Sequence, residues 1–215
     1  METYFSVSAQ WPKSGRHILA TYDDETIVVY QAYSQEIASY AVQNQRFGGA
    51  FSYTRMSWIK PNFLWMMYRS GWATRLGQEC ILAIHITRRF FEWVLSQAVS
   101  SSFVPHQYAS IADWQLAVSQ STVRFQWDPD HSPTGGSLAR RAIQIGLRGK
   151  SLQQFGEKEI VSIQDISTVV AEQRQNVNTP ETLWVPHERV YNPCATVQKS
   201  LGMLCFPGAV FSSFP

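Results

Sequence analysis

The stretch TIVVYQAYSQEIASYAV, residues 26–42, changes its apolar period at a single residue, and that change decides the fold class. Thr26–Tyr33 is a run of β-branched and aromatic residues and predicts a strand. After Ser34 the apolar positions Ile37, Ala38, Ala41 and Val42 recur at helical spacing. Ser34 is the expected N-cap and Glu36 suits the first turn, although Ile37 at the third helical position denies a full capping box. The helix is expected to stop before Gly48 and Gly49. A strand that feeds a helix is thus the local unit from which the rest is read.

Outward from this unit, strands are predicted over residues 81–87, 123–127, 142–147 and 160–163. Helices are predicted over residues 61–70, 88–99, 149–158 and 165–175. Pro61 suits the first helical position and Gly71 the position just past the end. Asp128-Pro129-Asp130 is read as the end of a strand, and HSPTGGS (131–137) as a flexible loop. Strands and helices intermix without a strict βαβ rhythm. The expected class is α+β, a single domain with a mixed or antiparallel central sheet and helices packed on it. Residues 1–15 carry no clear pattern and are expected to be a flexible leader. Residues 16–175 form the expected catalytic domain. Residues 176–215 are an extension that Trp184, Val190, Tyr191 and Phe206 should hold against the body.

The totals agree with one well-filled core. The chain has 215 residues, 45% hydrophobic and 13% aromatic, and only 16% charged, against about 25% in an average domain. A net charge of +2 is too small to argue for nucleic acid from bulk electrostatics. Cys80, Cys194 and Cys205 lack C-x-x-C spacing and fit free thiols in a reducing compartment. No secretory signal and no apolar run long enough for a membrane span is visible, so a cytoplasmic protein without a membrane partner is expected.

The segment RMSWIKPNFLWMMYRSGW, residues 55–72, is the strongest candidate for a site. It holds three Trp and two Arg in eighteen residues. Arg55, Trp58, Lys60, Trp65, Tyr68, Arg69 and Trp72 suit a pocket that stacks a flat ring and grips an anion. Trp65 and Arg69 are four apart on one helix face, where the guanidinium is placed to stack on the indole. The competing reading is a buried amphipathic helix with Phe63, Leu64, Met66 and Met67 in the core. Gln31 and Tyr33 share one strand face with Tyr30 opposite, which serves a site or ordinary cross-strand packing equally. Asp23, Asp24 and Glu25 offer a general base, a partner for a cationic substrate group, or a solvated turn. Gln126, Trp127 and Asp128 close a strand beside Pro129, where the carboxylate serves either a site or an Asx-type turn. Arg140, Arg141, Arg148 and Lys150 are the densest basic stretch. With Arg88 and Arg89 they make a phosphate-binding face or scattered solubilising charge.

GxGxxG, GxxxxGK[ST], HExxH and GxSxG are all missing from the sequence. The five His have no metal-ligand spacing, and neither a metal nor a cofactor is expected. Ser34, Ser57 and Ser70 are possible nucleophiles without a neighbouring His or acid to activate them.

Tyr22-Asp23, TIVVYQAYS (26–34), the 55–72 segment, QWDP (126–129) and AIQIGLRG (142–149) together resemble the domain-of-unknown-function family numbered 4291, found in fungi and bacteria. The resemblance runs from about Arg16 to Tyr191. Leu19 stands where the family pattern has an Arg, and Asn62 and Ala142 where Ser is common. A fungal branch of similar appearance is associated with arginine-containing cyclodipeptide synthases, which draw arginine from charged tRNA and join it to a second amino acid as a diketopiperazine. The resemblance implies a transferase whose partners are Arg-tRNA and a second aminoacyl-tRNA. Its catalytic candidates are Tyr30, Tyr33, Asp23, Arg69 and Asp128. Substrate would meet Gln31, Arg55, Trp58, Lys60, Trp65, Tyr68, Trp72, Gln126, Trp127 and Gln144. RNA would meet Arg88, Arg140, Arg141, Arg148 and Lys150. Two other classes stay open on the residues alone, a transferase using NAD or another nucleotide and a non-catalytic RNA-binding module.

Overall fold

The structure, a computed structural model, describes residues 1–105 and 107–203. The chain begins β1 (Glu2–Thr3), α1 (Tyr4–Gln10), β2 (Gly15–Arg16), β3 (Ile18–Ala20), β4 (Thr26–Tyr33), α2 (Gln35–Asn44), β5 (Ser57–Ile59) and α3 (Phe63–Ser70). It continues through β6 (Cys80–Thr87), α4 (Arg88–Gln97), β7 (Val99–Ser100), α5 (Ile111–Gln120), β8 (Val123–His131), β9 (Ser137–Leu147) and α6 (Gly149–Lys158). It closes with β10 (Ile160–Asp165), α7 (Ser167–Arg174), β11 (Trp184–Val185), β12 (Arg189–Tyr191) and α8 (Ala195–Ser200). The fold is α+β. No helix among the described residues is long and apolar enough to cross a membrane.

Two sheets form the frame. The first has the antiparallel order β10-β6-β4. The second runs β2-β9-β8-β7 with β5 also on β9, and it is mixed, because β2 and β7 lie parallel to their neighbours. The strand β4 is buried on both faces, which explains its nearly unbroken apolar run. Ile27 and Val29 enter a core with Ala38 and Ala41 of α2 and Phe90 and Phe91 of α4. Val28 and Tyr30 enter a second core with Phe63, Leu64, Met66 and Met67 of α3 and Val170 of α7. The backbones of the two sheets meet where Tyr30 N donates to Lys60 O at 2.7 Å and Lys60 N donates back to Tyr30 O at 3.2 Å.

Several expectations change. The helix expected from Pro61 starts at Phe63, because Asn62 Oδ1 accepts from Trp65 N at 2.7 Å and becomes the N-cap. Pro61 lies just outside. The strand expected to stop at Trp127 runs on through Pro129 to His131, with a register shift there that tolerates the missing N–H. The supposed flexible loop is a closed hairpin turn in which Ser132 N donates to Gly136 O at 2.8 Å and Gly135 N to Ser132 O at 2.9 Å. The supposed leader is structured, since β1 pairs with β11 and α1 buries Val7. Trp11 is 4% exposed, and its indole donates to Glu188 O. In the C-terminal segment Val185, Tyr191 and Val197 are buried while Trp184 is exposed, and Phe206 lies outside the described residues.

Arg140 anchors this arrangement from inside. Its Nε and Nη2 reach Asp130 Oδ2 at 2.7 and 2.6 Å, with side chains 5% and 1% exposed. Its Nη1 donates to Pro12 O at 2.6 Å, and the guanidinium lies 5.2 Å from the Trp11 ring centroid. Arg140 is therefore a core ion pair and not part of an RNA-facing surface. Arg140→Met should lower the unfolding free energy by about 3–5 kcal/mol, because it strands the buried Asp130 charge. Urea denaturation measures this; an unchanged midpoint would mean that the pair contributes nothing.

Candidate functional site

A cleft of about 650 Å³ opens beside the last residues of β4. Gln31 and Tyr33 of β4 form one wall, Ser57 and Trp58 of β5 with Lys60 another, and Met66 and Arg69 of α3 a third. Gln126 of β8, Gln144 of β9 and Arg55 also line it. The register does this placement. Gln31 and Tyr33 alternate with Tyr30, so Tyr30 turns to the opposite core, with its ring centroid 5.6 Å from Phe63. Trp58 packs against Gly146, where a Cβ would come within 3.1 Å of the indole and 2.7 Å of Met56 Sδ, so only glycine leaves room.

The polar groups of the cleft are tightly wired. Gln31 Nε2 donates to Ser57 Oγ at 2.7 Å and to Trp58 O at 3.3 Å. The Tyr33 hydroxyl meets the same Ser57 Oγ at 2.9 Å, and burial pushes the phenol well above its ordinary pKa. Both Nε2 bonds leave Gln31 Oε1 buried without a partner. Gln126 Nε2 and Gln144 Nε2 donate to Asp128 Oδ1 and Oδ2 at 2.8 and 2.7 Å, one glutamine to each oxygen.

Lys60 is the most perturbed cation. Its side chain lines the cleft although the residue is only 5% exposed. Nζ donates to Trp58 O at 3.3 Å and lies 5.4 Å from the Trp65 ring centroid. Burial first, then the Arg69 guanidinium, lowers its pKa from 10.5 to about 7, against the opposing pull of Asp128. Arg55 and Arg69 themselves are exposed and enter no hydrogen bond or ion pair among the described residues.

The structure thus brings together Gln31, Tyr33, Arg55, Trp58, Lys60, Arg69, Gln126 and Gln144, with Asp128 between the two glutamines. It separates the others. Asp23 sits at the far end of β4, where its carboxylate accepts from Thr26 N at 2.6 Å and Glu25 N at 2.9 Å in a solvated turn that lowers its pKa. Trp65 is buried behind Lys60, and the cation over its ring is Lys60 rather than Arg69. Tyr68 stacks on His131 at 3.4 Å, Trp72 donates its indole N–H to Pro133 O, and Trp127 donates its own to Leu201 O.

The basic set does not gather either. Arg88 bonds Asp23 O and pairs with Glu92. Arg148 donates to the carbonyls of Val118, Ser119 and Ser121 at the end of α5. Arg89, Arg141 and Lys150 are exposed, but with Arg140 buried and Arg148 engaged they do not make one face. Sequence reasoning missed Glu188, a fully buried carboxylate that accepts from Phe63 N at 2.5 Å and Asn62 Nδ2 at 3.0 Å, and so holds the start of α3. Burial pushes its pKa up to about 8. Nothing in the string WVPHERV distinguishes that glutamate from a surface one.

An α+β domain with one polar cleft around a buried lysine is the class that these features define. The family model for a domain of unknown function (DUF4291) matches residues 17–191, and the chain belongs to that family. No curated protein matches the sequence.

The charges around Lys60 make a paired test that needs no substrate. Arg69→Gln should raise the Lys60 pKa and Asp128→Asn should lower it, as read from the lysine side-chain carbons by 13C NMR. Shifts of the same sign would place at least one of these charges elsewhere. Folded Lys60 titrates below the unfolded 10.5, so the unfolded chain holds more protons from about pH 7 to 10.5. Wild-type stability should rise across that window relative to Lys60→Met. Parallel curves for the two proteins would contradict the buried placement.

Proposed function

We propose that this chain is an aminoacyl-tRNA-dependent cyclodipeptide synthase that joins arginine from Arg-tRNA to a second amino acid. The observation that carries this reading is the acceptor group formed by Gln126, Asp128 and Gln144. The two amide N–H groups are spent on Asp128. That leaves the amide carbonyls and the second lone pairs of the carboxylate as acceptors that receive no hydrogen bond from the protein among the described residues. A guanidinium presents five N–H donors in a planar fork and no acceptor, which is the complement of such a surface. Gln31 Oε1 adds a buried acceptor nearby.

The other features support the same reading. The unpaired Arg55 and Arg69 suit the phosphates of a tRNA terminus, and Trp58 offers a ring face to its adenine. The cleft volume lies within the range of about 300–1,000 Å³ common for small-ligand sites. An aminoacyl ester is already activated, so the protein has only to position the attacking amine and move protons.

The test is reconstitution. Purified protein, tRNA, arginyl-tRNA synthetase, ATP and arginine, with the other amino acids and their synthetases, should yield an arginine-containing diketopiperazine by mass spectrometry, and RNase should abolish it. No product from folded protein removes the reading and makes a nucleotide such as NAD the next ligand to try by thermal shift. Within an active system, Asp128→Asn should lower kcat/KM for arginyl substrate by about 10–100-fold, the loss of a charge-assisted contact, and spare the second amino acid. Equal losses on both would remove Asp128 from guanidinium recognition.

A further inference from the structure

We propose that Lys60 carries the proton of the transfer, taking it from the attacking α-amine and returning it to the ribose oxygen that leaves. This inference rests on the transfer reading given above and assigns a catalytic base within it.

The geometry argues for a neutral, available amine. The backbone of Lys60 is fixed by both bonds to Tyr30, so its side chain enters the cleft from a rigid point. An ammonium has three donors, and Nζ has one hydrogen-bond acceptor, Trp58 O. Lys60 is in no ion pair among the described residues. A neutral amine has two N–H groups, one of them spent on Trp58 O, and keeps a lone pair for the cleft. The groups around it come from every neighbouring element. Arg69 from α3 opposes a charge on Nζ, Asp128 from β8 favours one, and burial sides with Arg69. Arg55 lines the same cleft, and β4 contributes Gln31 and the Tyr33 phenol.

The competing bases are unsuited. The Tyr33 phenol is held protonated by its burial. Asp128 already accepts from two glutamines, and Ser57 is itself hydrogen-bonded by Gln31 and Tyr33. Arg55 and Arg69 do not give up protons. The chemistry then balances without a co-reactant. The α-amine attacks the ester carbonyl, a C–N bond forms, and Nζ takes one proton from the nitrogen. The C–O bond to the ribose breaks, and the same proton passes from Nζ to the departing oxygen. Ring closure on the second ester repeats the exchange. A group that titrates near 7 is both base and acid at neutral pH, as this relay requires.

The experiment is the pH dependence of kcat in the reconstituted reaction, for the wild type, Lys60→Arg and Lys60→Met, with tRNA affinity and thermal melting measured on each. The wild type should show a rising limb of unit slope centred near pH 7. Lys60→Arg keeps a cation of similar length and would rescue a purely structural or phosphate-binding role. It should instead lose kcat by at least about 10²-fold, the usual scale of acid–base catalysis, as should Lys60→Met, while tRNA affinity stays within a few-fold. A wild type that turns over with a flat profile, Lys60→Arg within five-fold of wild type, or a loss confined to tRNA affinity would each overturn the proton role. A folded wild type without product is a different result: it sinks the transfer reading, and the lysine's role with it.

Discussion

Two backbone hydrogen bonds between Tyr30 and Lys60 hold the molecule in its working shape. They tie the sheet β10-β6-β4 to β5, and through β5 to β9 and the second sheet. Strand pairing has a period of two, so a slip of one residue would exchange faces along the whole of β4. Tyr30 would leave the core it shares with Phe63, and Gln31 would lose Ser57 and Trp58. The register that closes the frame also puts Gln31, Tyr33 and Lys60 around one cleft. Fold and site are set by the same contact.

The third wall depends on a partner remote in sequence. Helix α3 begins where Glu188, from the turn between β11 and β12, accepts from Phe63 N and Asn62 Nδ2. It ends where Gly71, Trp72 and Ala73 all adopt positive φ. That conformation is costly for the two non-glycine residues. Trp72 is held in it by its N–H to Met67 O and its indole to Pro133 O. The helix is thus clamped between the C-terminal segment and the β8–β9 hairpin, which keeps Arg69 beside Lys60. A segment that reads as an appendage in sequence is part of what positions the site.

What the sequence revealed follows from which interactions are local. Thr26–Tyr33 and Gly149–Lys158 were legible to the residue, because period, glycine and β-branching are properties of neighbours. Helix α5 carried a readable signal, Ser110 capping Asp113 N at 3.1 Å and bonding its carboxylate, but it buries no residue and so leaves no strong apolar stripe. The grouping of Gln31, Lys60, Arg69, Gln126 and Gln144 was partly visible as odd composition. Arg140 and Arg148 were not separable from surface cations, because their partners Asp130, Pro12 and the α5 carbonyls are set by tertiary contact. Charge density along a chain reports nothing about burial.

The distribution of unmet polar groups gives the cleft its character. A buried lysine with one acceptor and the orphaned Gln31 Oε1 lie around a single cavity, and two guanidiniums without a hydrogen bond or ion pair among the described residues flank it. Arg124 Nε, Ser101 Oγ and His131 Nδ1 are also unpartnered, and none of these residues lines the cleft, so orphaned atoms alone do not mark a site. The difference is company. Around Lys60 the unmet donors and acceptors face one space, and Asp128 is held there by two glutamines that have no other evident task. Each such group left dry costs about 1–3 kcal/mol, and a core of apolar residues at these positions would avoid that cost. On the proposed reading, a guanidinium that donates to the Gln31 carbonyl and to Asp128 would offset part of this cost.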